Sequence, residues 1–276
     1  MPTRLLLLGS IPAPPGSAIH VGPLQLRAYG LAIAIGVVVA VTIAQRRWAA
    51  RGGNPSDISG LAGWSVVAGL VGARLYHVVT DYRRFQGHWL DAFKIWEGGL
   101  GIPGGLLAGV VTGVVLARRR GLPAPELLDV VAPAIPVAQA IGRLGNWFNQ
   151  ELFGRPTSLP WALRVDPEHR PNGYEHIVTY HPTFLYEALW NLALAALLVV
   201  YERRRPDARP GQLFALYVAG YGVGRLWVEA LRIDPATHLL GVRVNIWVSL
   251  LAIAGSTLWL VYDRRRARSR AEAARS

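Results

Sequence analysis

Apolar residues in this chain come in long runs, each closed by charged residues, without the polar stripe of a soluble amphipathic helix. Runs of about 20 residues are long enough to cross a hydrocarbon core roughly 30 Å thick. They predict an all-α polytopic membrane protein of seven transmembrane helices. The first two lie at about 24–44 and 58–79, and the third runs from the glycines of 98–105 to 117. The others lie at about 126–144, 182–201, 212–231 and 244–262. Pro133 and Pro136 predict a kink in the fourth, and the Pro182-Thr183 pair suits the first turn of the fifth.

Polar stretches complete the pattern. Residues 1–23 hold only the short apolar run Leu5–Leu8, too brief for a signal-peptide core, and read as a retained segment lying at the interface. Residues 146–181 form the only long hydrophilic excursion, and 263–276 a basic tail. With no soluble domain between runs, 1–276 reads as a single integral-membrane domain. Arg46, Arg47 and Arg51, then Arg118–Arg120, Arg203–Arg205 and Arg264–Arg266 cluster at the ends of the odd-numbered spans. The positive-inside rule then places the N-terminus outside and the C-terminus in the cytoplasm, with the excursion facing outward.

Composition narrows the chemistry. The chain of 276 residues is 52% hydrophobic, with a mean hydropathy of +0.28 and a net charge of +12. In a soluble protein that charge would point to nucleic acid; here membrane topology explains it, and no nucleic-acid partner is expected. There is no cysteine, which excludes disulfides, thiolate catalysis by this chain and thiolate metal sites. No P-loop, zinc motif or nucleophile elbow occurs, and the histidines lack metal-ligand spacing, so neither cofactor nor metal is expected.

Candidate chemistry centres on Gly142–Pro156, G-R-L-G-N-W-F-N-Q-E-L-F-G-R-P. Arg143 and Asn146 share a helical face at i, i+3, Glu151 follows, and Gly142 and Gly145 leave room for close approach. This crowd of polar groups at a membrane edge reads either as an anion site or as a solvated helix end reaching for headgroups. Four arginines fall within the spans: Arg27, Arg74, Arg143 and Arg225. Tyr221, Arg225 and Glu229 form one polar stripe at i, i+4 and i+8, so Arg225 and Glu229 can pair structurally. Arg74, Arg143 and Arg225 on different helices would repel each other without an anion between them, and phosphate is the group arginines grip best. His181 in H-P-T-F-L-Y-E is a helix-entry residue or a proton acceptor. The glycines at 98, 99, 101, 104 and 105 read either as a loop that admits substrate or as tight helix packing.

G-R-L-G-N-W-F-N-Q-E-L-F-G resembles the signature of the prolipoprotein diacylglyceryl transferases, and the likeness extends to R-A-Y-G-L (27–31), G-A-R-L (72–75), H-P-T-F-L-Y-E (181–187) and Y-G-V-G-R-L-W-V-E-A-L-R (221–232). The resemblance implies an enzyme of the bacterial cytoplasmic membrane with its site on the outer face. It would move the diacylglyceryl group of phosphatidylglycerol to the lipobox cysteine thiol of a preprolipoprotein and release glycerol phosphate. It implies Tyr29, Arg143, Asn146, Glu151, Gly154, Tyr221, Arg225 and Glu229 as essential positions. Expected catalytic residues are therefore Arg143, Arg225, Glu151, Tyr29, Glu229 and Tyr221; expected substrate contacts are Arg143, Asn146, Gly154, Arg74 and His181. Many relatives carry a histidine immediately before a Gly-Gly, where this chain has Pro103. The alternatives are an outer-leaflet anionic-lipid transporter or flippase, or another phospholipid-dependent transferase.

Overall fold

The computed structural model describes residues 10–21, 24–94 and 99–273. Residues 1–9, 22 and 23 of the expected interface segment, Gly98 of the glycine-rich stretch, and the last three residues of the basic tail lie outside the described residues. The helices are α1 (Ala28–Ala49), α2 (Pro55–Thr80), α3 (Ile102–Arg119), α4 (Ala124–Val131), α5 (Ala134–Phe148), α6 (Thr183–Arg204), α7 (Gln212–Leu231) and α8 (Val244–Ala273). Three small antiparallel hairpins accompany them: β1 (Ala18–Val21) with β2 (Leu24–Arg27), β3 (Leu163–Arg164) with β4 (Thr179–Tyr180), and β5 (His238–Leu239) with β6 (Val242–Arg243).

Among the described residues, four helices are long and apolar enough to cross a membrane: α1, α2, α6 and α8 up to Ala267. The bent pair α4 and α5 makes a fifth if it counts as one span, with a bend of 42° at the break before Pro133, where the proline pattern predicts a kink. The first span starts later than its apolar run. Leu24–Arg27 is strand, because L-Q-L-R alternates with period two, so Arg27 lies outside the helix and is exposed. The last helix runs on through the basic residues to Ala273.

The chain divides into two compact units, Val41–Val130 and Met1–Ala40 with Val131–Ser276. In the first, Asn54 caps α2 by accepting from Ser56 N at 3.0 Å, and Pro55 fills the first helical position. Glycines bring the α2 and α3 backbones together: a Cβ on Gly105 would sit 3.1 Å from Gly69 O, and one on Gly72 only 2.6 Å from Gly104 O. Of the two readings of the glycine-rich stretch, tight helix packing is what Gly104 and Gly105 serve. Arg47 Nε donates to Val130 O at 2.9 Å, so a charge at the end of α1 satisfies the carbonyl end of α4.

Gly104→Ala is expected to destabilise the protein by about 1–3 kcal/mol, since the added methyl meets the Gly72 backbone and the Tyr76 Cβ, neither of which is the far end of a flexible side chain. A thermal melt in detergent reads this, and an unchanged melting temperature would contradict the close packing.

The second unit holds α5 to α8 and the beginning of α1. Ala132, Leu194, Leu198, Leu213 and Tyr217 form its helical core. The excursion between α5 and α6 has a core of its own, Phe153, Leu163, Val165, Tyr180 and Phe184. Gln150 clasps it by donating to Asp166 Oδ2 at 2.6 Å and accepting from Asp166 N at 2.8 Å. The N-terminal segment joins this layer: Ile11 bridges Leu163, and Trp147 Nε1 donates to Pro12 O at 3.0 Å. The chain before α1 and the chain before α6 therefore share one end of this unit.

Candidate active site

At that end α5, α6 and α7 bring together charges that lie far apart in sequence. Arg143 and Asn146 occupy the last turns of α5; Arg143 Nη1 donates to Asn146 Oδ1 at 3.3 Å. Asn146 is buried and passes the contact on, its Nδ2 donating to Glu151 Oε1 at 3.0 Å. Asn149 Nδ2 reaches the same oxygen at 3.1 Å, while Glu151 Oε2 accepts no hydrogen bond among the described residues. Gln150 and Leu152 around Glu151 both have positive φ, 49° and 58°. Backbone strain of this kind in non-glycine residues is typical of loops that over-determine a functional side chain.

Tyr29, in the first turn of α1, lies on α5 beside this group. Gly145 makes the approach possible, because a Cβ there would stand 2.6 Å from the tyrosine ring. The tyrosine hydroxyl is within electrostatic reach of Glu151 and Arg143.

Glu187, one turn into α6, is the hinge of the arrangement and was not singled out in the sequence. Arg143 Nη2 lies 2.5 Å from its Oε2, and Arg225 Nη1, from α7, lies 3.2 Å from its Oε1. For Arg143 and Arg225, the anion between them is a carboxylate of the chain itself. Sequence offered one clue, the same H-P-T-F-L-Y-E stretch, which ends on Glu187 and was read chiefly for His181.

Behind Arg225 stands Glu229, with only 1% of its surface exposed. Arg225 Nη2 lies 2.7 Å from Glu229 Oε2, a charge contact without hydrogen-bond angles. Arg243 Nε at 2.6 Å and Asn245 Nδ2 at 3.2 Å hold Oε1. Arg232 and Asp234 extend the cluster by a two-bonded pair at 2.6 and 2.7 Å, and Arg243 Nη2 meets Asp234 at 3.2 Å. Arg232 and Arg243 lie just outside the expected spans, and the turn between α7 and α8 folds them inward. Arg143, Arg225, Arg232 and Arg243 thus face the carboxylates of Glu187, Glu229 and Asp234, with Glu151 behind Asn146 as a fourth.

Gly154 has no positive φ; it serves close backbone approach. Its N donates to His181 O at 2.9 Å, and a Cβ would meet His181 Cβ at 2.9 Å and Leu231 O at 3.1 Å. His181 itself faces Tyr186, Nδ1 to Oη 3.1 Å, and not the arginines. Burial, and behind it the Arg155 charge, hold its pKa below the usual imidazole range, so the ring is neutral at pH 7. A depressed histidine pKa contributes stability that is complete above about pH 6.5 and fades as pH falls through the lowered value. Thermal stability is expected to drop between pH 6.5 and 5 more steeply in the wild type than in His181→Gln; equal slopes would contradict the burial of the neutral ring.

Arg74 belongs to the other unit. Its guanidinium is taken up by backbone carbonyls, Nε on Ala92 O and Nη2 on Asp91 O at 2.6 Å each, and Nη1 on Gly99 O at 3.0 Å. Pro103 sits in the first turn of α3. Among the described residues no group of His, Asp and Glu has the arrangement to hold a metal.

The family model described as prolipoprotein diacylglyceryl transferase matches residues 16–262. The chain is 50% identical over 264 residues to phosphatidylglycerol–prolipoprotein diacylglyceryl transferase 1 of Streptomyces coelicolor, covering 94% of this chain and 75% of the relative. It is 50% identical over 263 residues to the transferase of that name from Frankia alni, covering 94% and 69%, and 48% identical over 260 residues to that of Cutibacterium acnes, covering 93% and 88%. With its motif residues gathered at one end of one unit and a match that runs through nearly its whole length, the chain belongs to the prolipoprotein diacylglyceryl transferase family.

Proposed function

We propose that this protein transfers the diacylglyceryl group of phosphatidylglycerol to the thiol of the lipobox cysteine of a preprolipoprotein and releases glycerol phosphate. The observation that carries the mechanism is the convergence of Arg143 and Arg225 on one carboxylate. Two guanidiniums spaced to share Glu187 are spaced to share a phosphate, which takes the same forked charge-assisted bonds. Asn146 orients Arg143, and Glu229, itself held by Arg243 and Asn245, orients Arg225.

The sulfur of the acceptor attacks the lipid carbon that bears the phosphodiester oxygen. A carbon–sulfur bond forms, the carbon–oxygen bond breaks, and its electron pair leaves on the phosphate. The leaving group gains one negative charge, so the arginines bind the transition state better than the lipid, the differential term that accelerates the step. Their field also lowers the pKa of a nearby thiol. The thiol proton goes to Glu151 Oε2, the free oxygen of a carboxylate that two amides hold by its other oxygen. A histidine at position 103 is then dispensable. Tyr29 closes the group on the α5 side.

The helices are read as seven spans with the N-terminus outside, placing the site at the outer face of the bacterial cytoplasmic membrane. Supporting this reading, α3 and α7 have 18 and 20 residues, against about 20 needed for a hydrocarbon core. Within the unit that holds the site, Arg203–Arg205 and Arg264–Arg266 also fall toward the ends of α6 and α8 away from it.

The test is purified protein in phosphatidylglycerol liposomes with lipobox peptides carrying Cys or Ser. A diacylglyceryl mass gain on the Cys peptide alone is expected; gain on neither peptide would overturn the reading.

A further inference from the structure

Beside Arg225 a narrow crevice opens between α6 and α7, lined by Glu187, Trp190, Asn191, Tyr221, Gly224 and Arg225. Gly224 shapes it: the Trp190 ring lies where a Cβ on that glycine would stand, and Trp190 Nε1 is tied to Gly220 O at 3.0 Å. The wall is therefore fixed, not a mobile side chain.

Asn191 is 2% exposed and makes no hydrogen bond among the described residues. Its amide atoms are not among those sealed from solvent without a partner, so what exposure it retains is at the amide, facing the crevice. The Tyr221 hydroxyl likewise has no partner among the described residues and lines the same crevice. A polar side chain as buried as Asn191 is costly without a partner unless something binds there, and the half-buried Tyr221 hydroxyl offers a second group to the same ligand.

Their depth says what. The excursion ends where α6 begins, so Glu187 lies one turn from the surface end of the helix and Asn191 one turn further in. On antiparallel α7, Tyr221 is one turn further in than Arg225. Both groups stand about 5.4 Å below the arginine pair, on the side of the acyl chains. In a phospholipid whose phosphate lies at those arginines, the groups a few bonds below it are the ester carbonyls of the two acyl chains. These are acceptors, and the Asn191 amide and Tyr221 hydroxyl are donors.

We infer that this crevice is an acyl-ester subsite: its water-sized space takes one ester carbonyl oxygen of the diacylglyceryl group, which accepts from Asn191 and Tyr221 and sets the lipid's depth. The inference rests on the reading that Arg143 and Arg225 hold the lipid phosphate. It makes the protein selective for diester over dialkyl ether lipids, since a site built around donors rejects an analogue that lacks the acceptor.

The experiment compares phosphatidylglycerol with its 1,2-dialkyl ether analogue, which has the same headgroup and charge. Thioether formation gives a kcat/KM ratio, and native mass spectrometry of protein from mixed micelles gives a retention ratio that needs no turnover. The wild type is expected to favour the diester about tenfold or more in both. Asn191→Leu and Tyr221→Phe are each expected to shrink the preference by about threefold or more, chiefly by losing the diester. A wild type that treats the two lipids alike, or variants that keep its preference, would overturn the subsite. Diester-selective retention without any thioether would uphold the subsite and overturn the transferase reading.

Discussion

Arg143→Lys is expected to lose about a hundredfold or more in kcat/KM for phosphatidylglycerol while the protein still purifies as a folded species. Arg143 works by shape as well as charge. Its fork reaches Glu187 with Nη2 and Asn146 with Nη1. A lysine ammonium is a point charge on a flexible stem and cannot span both while presenting N–H groups to a phosphate. The retained charge keeps Glu187 compensated, so the melting temperature should move little. Initial rates in liposomes, with melts of the same preparations, check this. Turnover within about threefold of wild type would sink the phosphate clamp.

Glu229→Ala is expected to cost the most stability of any single change at the site, about 3–5 kcal/mol, the usual penalty for removing one partner of a buried ion pair. Glu229 is buried, and Arg225, Arg243 and Asn245 all point at it. Removing the carboxylate leaves two guanidiniums facing each other in a low-dielectric setting. Glu229→Gln keeps the shape and one acceptor, so it is expected to fold while losing activity through a misoriented Arg225. Melts and rates for the two variants separate these effects. An alanine variant as stable as wild type would contradict the role of Glu229 as the anchor of the cluster.

The helical character of the chain was legible in its apolar runs, of which four are helices long and apolar enough to cross a membrane, or five with the bent pair, among the described residues; the kink at Pro133 followed from the residue that causes it. Arg27 was misplaced because the run includes Leu24 and Leu26, and only the strand pairing with Ala18–Val21 tells that alternation apart from a helix. The site residues of α5 and α7 were legible as local patterns, Arg143 with Asn146 and Tyr221 with Arg225 and Glu229. Glu187 was not, because its meaning depends on the register of α6 against α5 and α7. Its contact with Arg225 joins residues 38 positions apart, which no local periodicity encodes. Arg232 and Arg243 were missed for a related reason. A charge just beyond a span ordinarily faces water, and only the turn through Asp234 and the β5–β6 hairpin folds them onto Glu229. Gly154 entered only through the family signature, and its closeness to His181 and Leu231 shows the backbone approach that its missing side chain permits.

The measurement that tests the central claim most directly is a double-mutant cycle on Arg143→Lys and Arg225→Lys, read as kcat/KM for phosphatidylglycerol. If both arginines hold one phosphate, the second substitution costs far less than it does alone, because residues that act as a unit are not additive. Strict additivity, with each loss undiminished in the presence of the other, would contradict a shared anion between α5 and α7.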